Sequence, residues 1–207
     1  MRPMTALRAA LLLLLGSSSL AIGQNLLTNS DFDAGLGLSS WIDHTGTWVL
    51  GSDATGCALS DAADGTSEMA ASMQYLAIYS QECIDVDPVA TPALYLGGLY
   101  KSAGAGYARL YLQYFAAAGC VGPTGWSDWV YGGDSPAWAP LLGAVAIPAG
   151  VAAVRVWGDF VPLTASAPQF TGAYDRLYLG ATPLLFADDF EFGGGSACRW
   201  SSVAGGV

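Results

Sequence analysis

Aromatic and polar side chains alternate with apolar ones along residues 107–115, a segment that reads YARLYLQYF. Successive side chains of a β-strand point to opposite faces, so one face of this segment carries Tyr107, Arg109, Tyr111, Gln113 and Phe115. Flat aromatic rings stack on the C–H faces of sugars, and planar polar groups reach the sugar hydroxyls. The pattern predicts a carbohydrate-binding surface on this face.

A later segment repeats the pattern with Arg155 and Trp157 opposite Val154 and Val156. Neighbouring strands of one sheet would place these residues beside the first set. The loop at residues 126–131 would wall a cleft with two further candidates, Trp126 and Trp129. The alternative is that these aromatics belong to the core, or that tyrosine is present only for its strand propensity.

The segments that must position these residues read as short strands. Period-two alternation predicts strands at residues 74–80, 94–101, 107–115, 151–157 and 174–179. Glycine and proline clusters at residues 101–106, 119–125 and 132–136 are interpreted as turns. No helical periodicity persists beyond the N-terminal segment, so we predict an all-β, antiparallel two-sheet sandwich. Trp41 and Trp48 are assigned to its core.

The N-terminal 23 residues have the three-part pattern of a secretory signal. Arg2 and Arg8 precede a short apolar run at residues 9–15, and small residues follow at Ala21 and Gly23. The run is shorter than the roughly 20 apolar residues that a membrane span needs. We therefore expect a signal peptide at residues 1–23, a binding domain at 24–180, an acidic and Gly/Ser-rich tail at 181–207, no membrane span, and a secreted or cell-surface location.

Charge and composition exclude other classes of protein. The chain has 17 acidic and 7 basic residues among 207, and 53% of its residues are hydrophobic. A disordered chain would have the opposite balance of charge and hydrophobicity. Nucleic acid is excluded as a partner because binding a phosphate backbone needs a lysine- and arginine-rich surface.

Four cysteines in an exported chain indicate two disulfides, for which three pairings exist. The predicted strand ends favour Cys83 with Cys120, which leaves Cys57 with Cys198. The second bond would hold the tail against the domain.

The sequence lacks the motifs of the common catalytic classes. His44 is the single histidine and sits in a segment, DHTG, that reads as a turn. A serine triad and a catalytic zinc site both need histidine, and neither a G-x-S-x-G elbow nor a phosphate loop occurs. A pair of carboxyl groups could cleave a glycoside, but 17 acidic residues always offer some pair, so a pair alone indicates no activity. We therefore predict that the chain is not an enzyme.

The two ends of the domain resemble carbohydrate-binding modules of the family 4/9/22 type. The opening NLLTNSDFD, followed by Gly35 and Trp41, is similar to their N-L-L-x-N-G-D-F-E start, and AYDRLYL at 173–179 is similar to their last strand. Ser30 and Arg176 depart from that pattern. The resemblance implies a galactose-binding-like jelly roll whose first and last strands are neighbours.

The same resemblance implies a structural calcium ion held by Asp33 and Asp175. Calcium takes six to eight oxygen ligands, and two carboxylates from distant parts of the chain would join the first strand to the last. The alternative is that Asp33 makes only a turn and that Asp175 pairs with Arg176 or Arg155.

The tail resembles a short terminal motif of secreted proteobacterial proteins, approximately D-G-F-E followed by R-W-S. Here it reads DDFEF at 188–192 and RWS at 199–201. We therefore predict a secreted, non-catalytic protein that binds a polysaccharide or glycan. The alternative is a structural or adhesion protein of the cell surface with a protein partner and no glycan ligand.

Overall fold

The computed structural model describes residues 25–33, 35–54, 56, 60–68, 75–162 and 169–183. All of the secondary-structure elements within these residues are β-strands. In chain order they are β1 (Trp41–Thr45), β2 (Thr47–Ser52), β3 (Asp61–Thr66), β4 (Leu76–Ser80), β5 (Ile84–Asp85), β6 (Ala93–Ala103), β7 (Tyr107–Ala117), β8 (Val121–Trp126), β9 (Val130–Gly133), β10 (Ala139–Ala146), β11 (Ala153–Val161) and β12 (Thr171–Gly180). No helix long and apolar enough to cross a membrane occurs in the described ranges.

The strands form two sheets, and every strand pairing is antiparallel. The seven-stranded sheet has the order β1-β4-β11-β7-β8, with β5 paired to β11 and β9 paired to β7. The five-stranded sheet has the order β10-β6-β12-β3-β2. The expected all-β, two-sheet architecture is confirmed.

The core lies between the two sheets and follows the alternation of the sequence. On β7 the inward residues Ala108, Leu110 and Leu112 are fully buried, and Val154 and Val156 are buried beside them on β11. The opposite sheet contributes the buried residues Leu94, Leu96, Tyr174, Leu177 and Leu179. Trp41 and Trp48 also belong to this core, as the sequence predicted.

The opening segment lies against the final strand. The Leu26 N–H donates to the Leu179 carbonyl at 2.7 Å, and the Leu177 N–H donates to the Ser30 carbonyl at 2.8 Å. The Asn25 side chain donates to the Leu177 carbonyl and accepts from the Leu179 N–H. The expected proximity of the two ends of the domain is therefore confirmed.

The five predicted strands are present, but two predicted turns are wrong. Most of the turn predicted at residues 119–125 belongs to β8 (Val121–Trp126). β9 (Val130–Gly133) overlaps both the loop expected at 126–131 and the turn predicted at 132–136. Both strands pair with β7, and β8 ends the strand order of its sheet. Edge strands tolerate proline and glycine because one side of their backbone needs no ladder partner.

The bond between Cys83 and Cys120 is present, with a Cα–Cα distance of 5.6 Å. It connects the segment before β5 with the turn after β7. Cys57 and Cys198, the other expected pair, lie outside the described residues, as do the signal segment and the tail beyond Pro183.

Replacing Cys83 and Cys120 together with serine should lower the free energy of unfolding by about 2–4 kcal/mol, because the bond closes a loop with a sequence separation of 37 residues. Urea unfolding of the double variant and the parent protein measures this difference. Equal midpoints and equal slopes would show that the cross-link contributes nothing.

Candidate functional site

Polar and aromatic side chains cover the outward side of the seven-stranded sheet, since the intervening residues of β4, β7 and β11 point into the core. We call this surface the aromatic face. Its central residues are Tyr79 on β4, Arg109, Tyr111 and Gln113 on β7, and Arg155, Trp157 and Asp159 on β11.

The register of β7 and β11 arranges these residues in three rows. Arg155 is paired with Gln113, Trp157 with Tyr111, and Asp159 with Arg109. Directly paired residues of antiparallel strands have Cβ atoms about 5 Å apart, so each pair acts as a unit. The aromatic face therefore has a polar row at each end and an aromatic row between them.

Trp157 is the centre of the aromatic row. Its ring stacks on Tyr79 at a centroid distance of 4.5 Å and lies nearly parallel to Tyr111 at 6.3 Å. Trp126 and His44 meet the same ring edge-on at 5.3 Å and 4.9 Å. Trp157 is therefore packed among four aromatic rings and is 8% exposed.

The polar row formed by Arg109 and Asp159 is a buried ion pair. Arg109 Nε donates to Asp159 Oδ1 at 2.7 Å, and a terminal guanidinium nitrogen donates to Oδ2 at 2.6 Å. The Tyr111 hydroxyl donates to the same Oδ2 at 3.2 Å. The guanidinium also lies over the ring of Trp129, 4.3 Å from its centroid. The bidentate contact fixes the orientation of both charged groups.

Burial controls the protonation of this row. Burial raises the pKa of Asp159, while the hydrogen bonds and charge of Arg109 lower it. Burial also raises the pKa of the Tyr111 hydroxyl, and the Asp159 carboxylate adds to that effect. Tyr111 therefore remains a protonated donor at neutral pH.

Tyr174 supports the ion pair from the opposite sheet. Its hydroxyl lies 2.8 Å from the carbonyl oxygens of both Arg109 and Asp159. A Cβ on Gly158 would lie 2.8 Å from the Tyr174 ring, so glycine at this position leaves the space that the ring occupies. The backbone below the ion pair is thus fixed by a fully buried side chain.

A pocket of about 200 Å³ opens above these groups. It is lined by His44, Tyr75, Arg109, Tyr111, Trp126, Trp157 and Asp159. Drug-sized ligands occupy about 300–1,000 Å³, so the pocket suits a smaller group. It offers flat apolar surfaces together with a donor and an acceptor in one fixed ion pair, which are the features that recognise a ring bearing hydroxyl groups.

The polar row formed by Gln113 and Arg155 lies on the other side of Trp157. The Trp157 indole N–H donates to Gln113 Oε1 at 3.2 Å. The Arg155 guanidinium lies between two rings, 5.3 Å from the Tyr79 centroid and 5.6 Å from the Phe115 centroid.

Four of the nine residues proposed as ligand contacts line the pocket: Arg109, Tyr111, Trp126 and Trp157. Trp129 is not among the lining residues but lies against the Arg109 guanidinium. Gln113, Arg155 and Phe115 lie in or beside the polar row beyond Trp157. Tyr107 pairs with Val161 and Gly133 and is 45% exposed. Tyr107 is not among the residues that line the pocket.

Sequence reasoning missed four residues of this surface. Tyr75 and Tyr79 lie in the strand predicted at residues 74–80, but no sequence pattern connected that strand to Trp157. His44 lies in β1, so its assignment to a turn was wrong. Asp159 was one of 17 carboxylates, and only its register opposite Arg109 distinguishes it.

The residues expected to bind calcium lie away from the aromatic face. Asp175 is fully buried, and its Oδ2 accepts the Ala54 N–H at 2.8 Å. Its Oδ1 is buried and has no hydrogen-bond partner within the described residues. Asp33 Oδ1 accepts the Gly35 N–H at 2.8 Å, and Asp33 forms a backbone bridge with Ser60.

The carboxylate that the structure places beside Asp175 is that of Asp53. The Ser60 hydroxyl donates to Asp53 Oδ2 at 2.5 Å. Burial raises the pKa of Asp175 to about 7, and the neighbouring Asp53 adds to the shift. Two adjacent buried carboxyl groups need a shared proton or a cation. An oxygen without a partner is compatible with a cation, although no cluster of three acidic, histidine or cysteine side chains suited to a metal occurs in the described ranges.

Solved structures with a similar fold include a carbohydrate-binding module, a tailspike domain and an arabinofuranosidase. TmCBM61 in complex with β-1,4-galactotriose matches with a TM-score of 0.51 and 10% identity, over 75% of this chain and 97% of that chain. The enzymatically active domain of bacteriophage CBA120 tailspike protein 4 matches with a TM-score of 0.54, 12% identity and 75% coverage of this chain. The arabinose-bound MgGH51 α-L-arabinofuranosidase matches with a TM-score of 0.54, 14% identity and the same coverage.

This chain spans 21% of the tailspike protein and 26% of the arabinofuranosidase, but almost the whole of the binding module. At such identities the likeness concerns the fold, which is a β-sandwich like that of carbohydrate-binding modules. No protein-family model matches the chain, and no curated protein sequence does either.

Proposed function

We propose that this chain is a secreted, non-catalytic protein that binds a glycan on the aromatic face, with one sugar ring in the pocket beside Trp157. The arrangement of the pocket is the observation that carries the proposal. Trp157 and Tyr111 offer parallel rings, Trp126 stands perpendicular to Trp157, and the Arg109–Asp159 pair supplies one donor and one acceptor side by side. Adjacent hydroxyl groups of a sugar match that pair.

The absence of catalysis is proposed from the state of the carboxylate in the pocket. Asp159 is the single carboxylate among the lining residues, and both of its oxygens are held by Arg109. Glycoside hydrolysis commonly uses two carboxyl groups on opposite sides of the bond that breaks. An acid that is fixed in a bidentate ion pair serves recognition better than proton transfer.

Secretion is proposed from the signal-like residues 1–23, and the Cys83–Cys120 bond is compatible with an oxidising compartment. We also propose a structural calcium ion at Asp175 beside Asp53. The buried Asp175 Oδ1 would be one ligand, and calcium would complete its shell with carbonyl oxygens and water. Asp33 remains the other expected ligand.

The test of glycan binding is affinity electrophoresis of the secreted chain through gels that contain single polysaccharides. The panel contains β-1,4-galactan, because TmCBM61 was solved with β-1,4-galactotriose, together with glucans, xylan and peptidoglycan. The parent protein should be retarded by at least one polymer. The Tyr111→Ala/Trp157→Ala double variant should migrate as in polymer-free gels, because it loses the stacking surface.

The matched control is Trp138→Ala, which removes a tryptophan that lies beside Lys101 on the five-stranded sheet. It should be retarded like the parent. If the parent migrates unchanged through every gel, or if the double variant is still retarded, glycan binding on this face is wrong. Capture of a protein partner without any glycan retention would favour the adhesion alternative.

A further inference from the structure

The polar row at Arg155 differs chemically from the row at Arg109. At Arg109 a carboxylate accompanies the guanidinium, so donors and acceptors lie together. At Arg155 no acidic side chain forms an ion pair with the guanidinium within the described part of the chain, and Nε is buried without a hydrogen-bond partner there. The two ends of the aromatic face therefore present different chemistry to a ligand.

Gln113 strengthens this difference. An indole N–H can only donate, so the bond from Trp157 Nε1 requires that Gln113 presents its carbonyl oxygen to the ring. The Gln113 NH₂ group then remains, and it makes no hydrogen bond to any residue that the structure describes. Arg155 is the direct strand partner of Gln113. Together they form a group of donors without an acceptor.

The position of Arg155 is fixed rather than extended into solvent. Its guanidinium lies between the rings of Tyr79 and Phe115. A cation that is partly removed from water, with no counter-charge, is costly unless an anion completes it. Only four basic residues occur in the described ranges, and two of them, Arg109 and Arg155, lie on the aromatic face of this acidic chain. Because Asp159 compensates Arg109, Arg155 carries the uncompensated positive charge of these two.

We propose that the glycan carries an anionic group, a carboxylate or a sulfate ester, which binds Arg155 and the Gln113 amide while a sugar ring stacks on Trp157. This inference rests on the proposed function. Residues 155 and 157 are two positions apart on one strand face, a separation of roughly 6.6 Å. The anionic group therefore belongs to the stacked sugar or to the next residue of the polymer.

The experiment compares polymers that share one backbone and differ in charge. Affinity gels contain hydroxyethyl cellulose, cellulose oxidised to the C6 carboxylate, or cellulose sulfate, and a parallel set contains β-1,4-galactan, polygalacturonate and a sulfated galactan. The parent should bind at least one anionic polymer about tenfold to a hundredfold more tightly than its neutral counterpart, as expected for charge-assisted hydrogen bonds. Preference for the oxidised or for the sulfated polymer identifies the source of the charge.

The Arg155→Gln variant should lose this preference, so that it binds the neutral and the anionic polymer of each set with similar affinity. Lys101→Gln is the matched control because it changes the net charge equally and lies on the other sheet. It should keep the preference. A thermal melt of each variant shows whether it is folded. If Arg155→Gln is unstable, Arg155→Lys is tested in its place. It retains the charge and should keep part of the preference.

Equal affinity of the parent for neutral and anionic polymers would overturn the inference and leave glycan binding intact. An anionic preference that Lys101→Gln loses as much as Arg155→Gln would also overturn it, because the preference would then follow net charge. If no polymer in either set, nor in the wider panel above, is retained, the proposed function and this inference are both wrong.

Discussion

Asp159→Ala should lower the free energy of unfolding by about 3–5 kcal/mol, because it leaves the Arg109 guanidinium partly buried without its counter-charge. The Asp159 side chain is only 2% exposed and that of Arg109 is 19% exposed. The variant also removes the acceptor of the Tyr111 hydroxyl. Urea unfolding at pH 8 measures the change.

Two further variants separate burial from charge. Lys101→Ala breaks an exposed contact with Asp64, 3.8 Å long and about one third exposed, and should cost less than about 1 kcal/mol. The Arg109→Met/Asp159→Leu double variant should recover most of the lost stability, because no unpaired charge remains. It should nevertheless fail to bind glycan. If Asp159→Ala costs no more than Lys101→Ala, burial of the Arg109–Asp159 ion pair does not make it important for stability.

The faces of the central strands could be predicted from the sequence because period-two alternation is a local signal. Tyr111 and Trp157 were assigned to the correct sides of their strands, opposite Leu112 and Val156. The alternation does not specify which strands pair or in what register. The row formed by Arg109 and Asp159 joins residues 50 positions apart, and only the folded sheet creates it.

The missed elements lacked a local signal of their own. Residues 121–126 contain two glycines and a proline, which are typical of turns, yet they add an edge strand to β7 and place Trp126 beside Gln113. His44 lies in a five-residue strand, WIDHT, that alternation does not reveal. Asp53 became relevant only because the region just after β2 lies beside Asp175. Short edge elements and carboxylate pairings are therefore the parts of the site that sequence patterns do not determine.

In a buffer that contains a calcium chelator, the free energy of unfolding should fall by about 4 kcal/mol as the pH rises from 4 to 8. This change is the contribution of Asp175 alone. Burial, with Asp53 beside it, raises the pKa of Asp175 from 3.8 to about 7. Between these values the folded state holds a proton that the unfolded state has released. The stabilisation is complete below pH 3.8 and is lost as the pH approaches 7.

Asp175→Asn tests this assignment, because asparagine still accepts the Ala54 N–H but carries no titrating group. The difference between the parent and Asp175→Asn should change with pH in this window. Asp87→Asn, at an exposed turn position, should follow the parent throughout. Parallel curves for the parent and Asp175→Asn would contradict the raised pKa of the buried carboxyl group.

The same variants decide between a proton and calcium at the acidic pair. Millimolar calcium at pH 8 should raise the unfolding midpoint of the parent protein, because a ligand that binds only the folded state stabilises it in proportion to the logarithm of its concentration. Asp175→Asn should not respond, and Asp33→Asn should respond more weakly if Asp33 is also a ligand. A parent midpoint that calcium does not move would show that the calcium proposal is wrong, and a shared proton would then be what allows Asp53 and Asp175 to lie together.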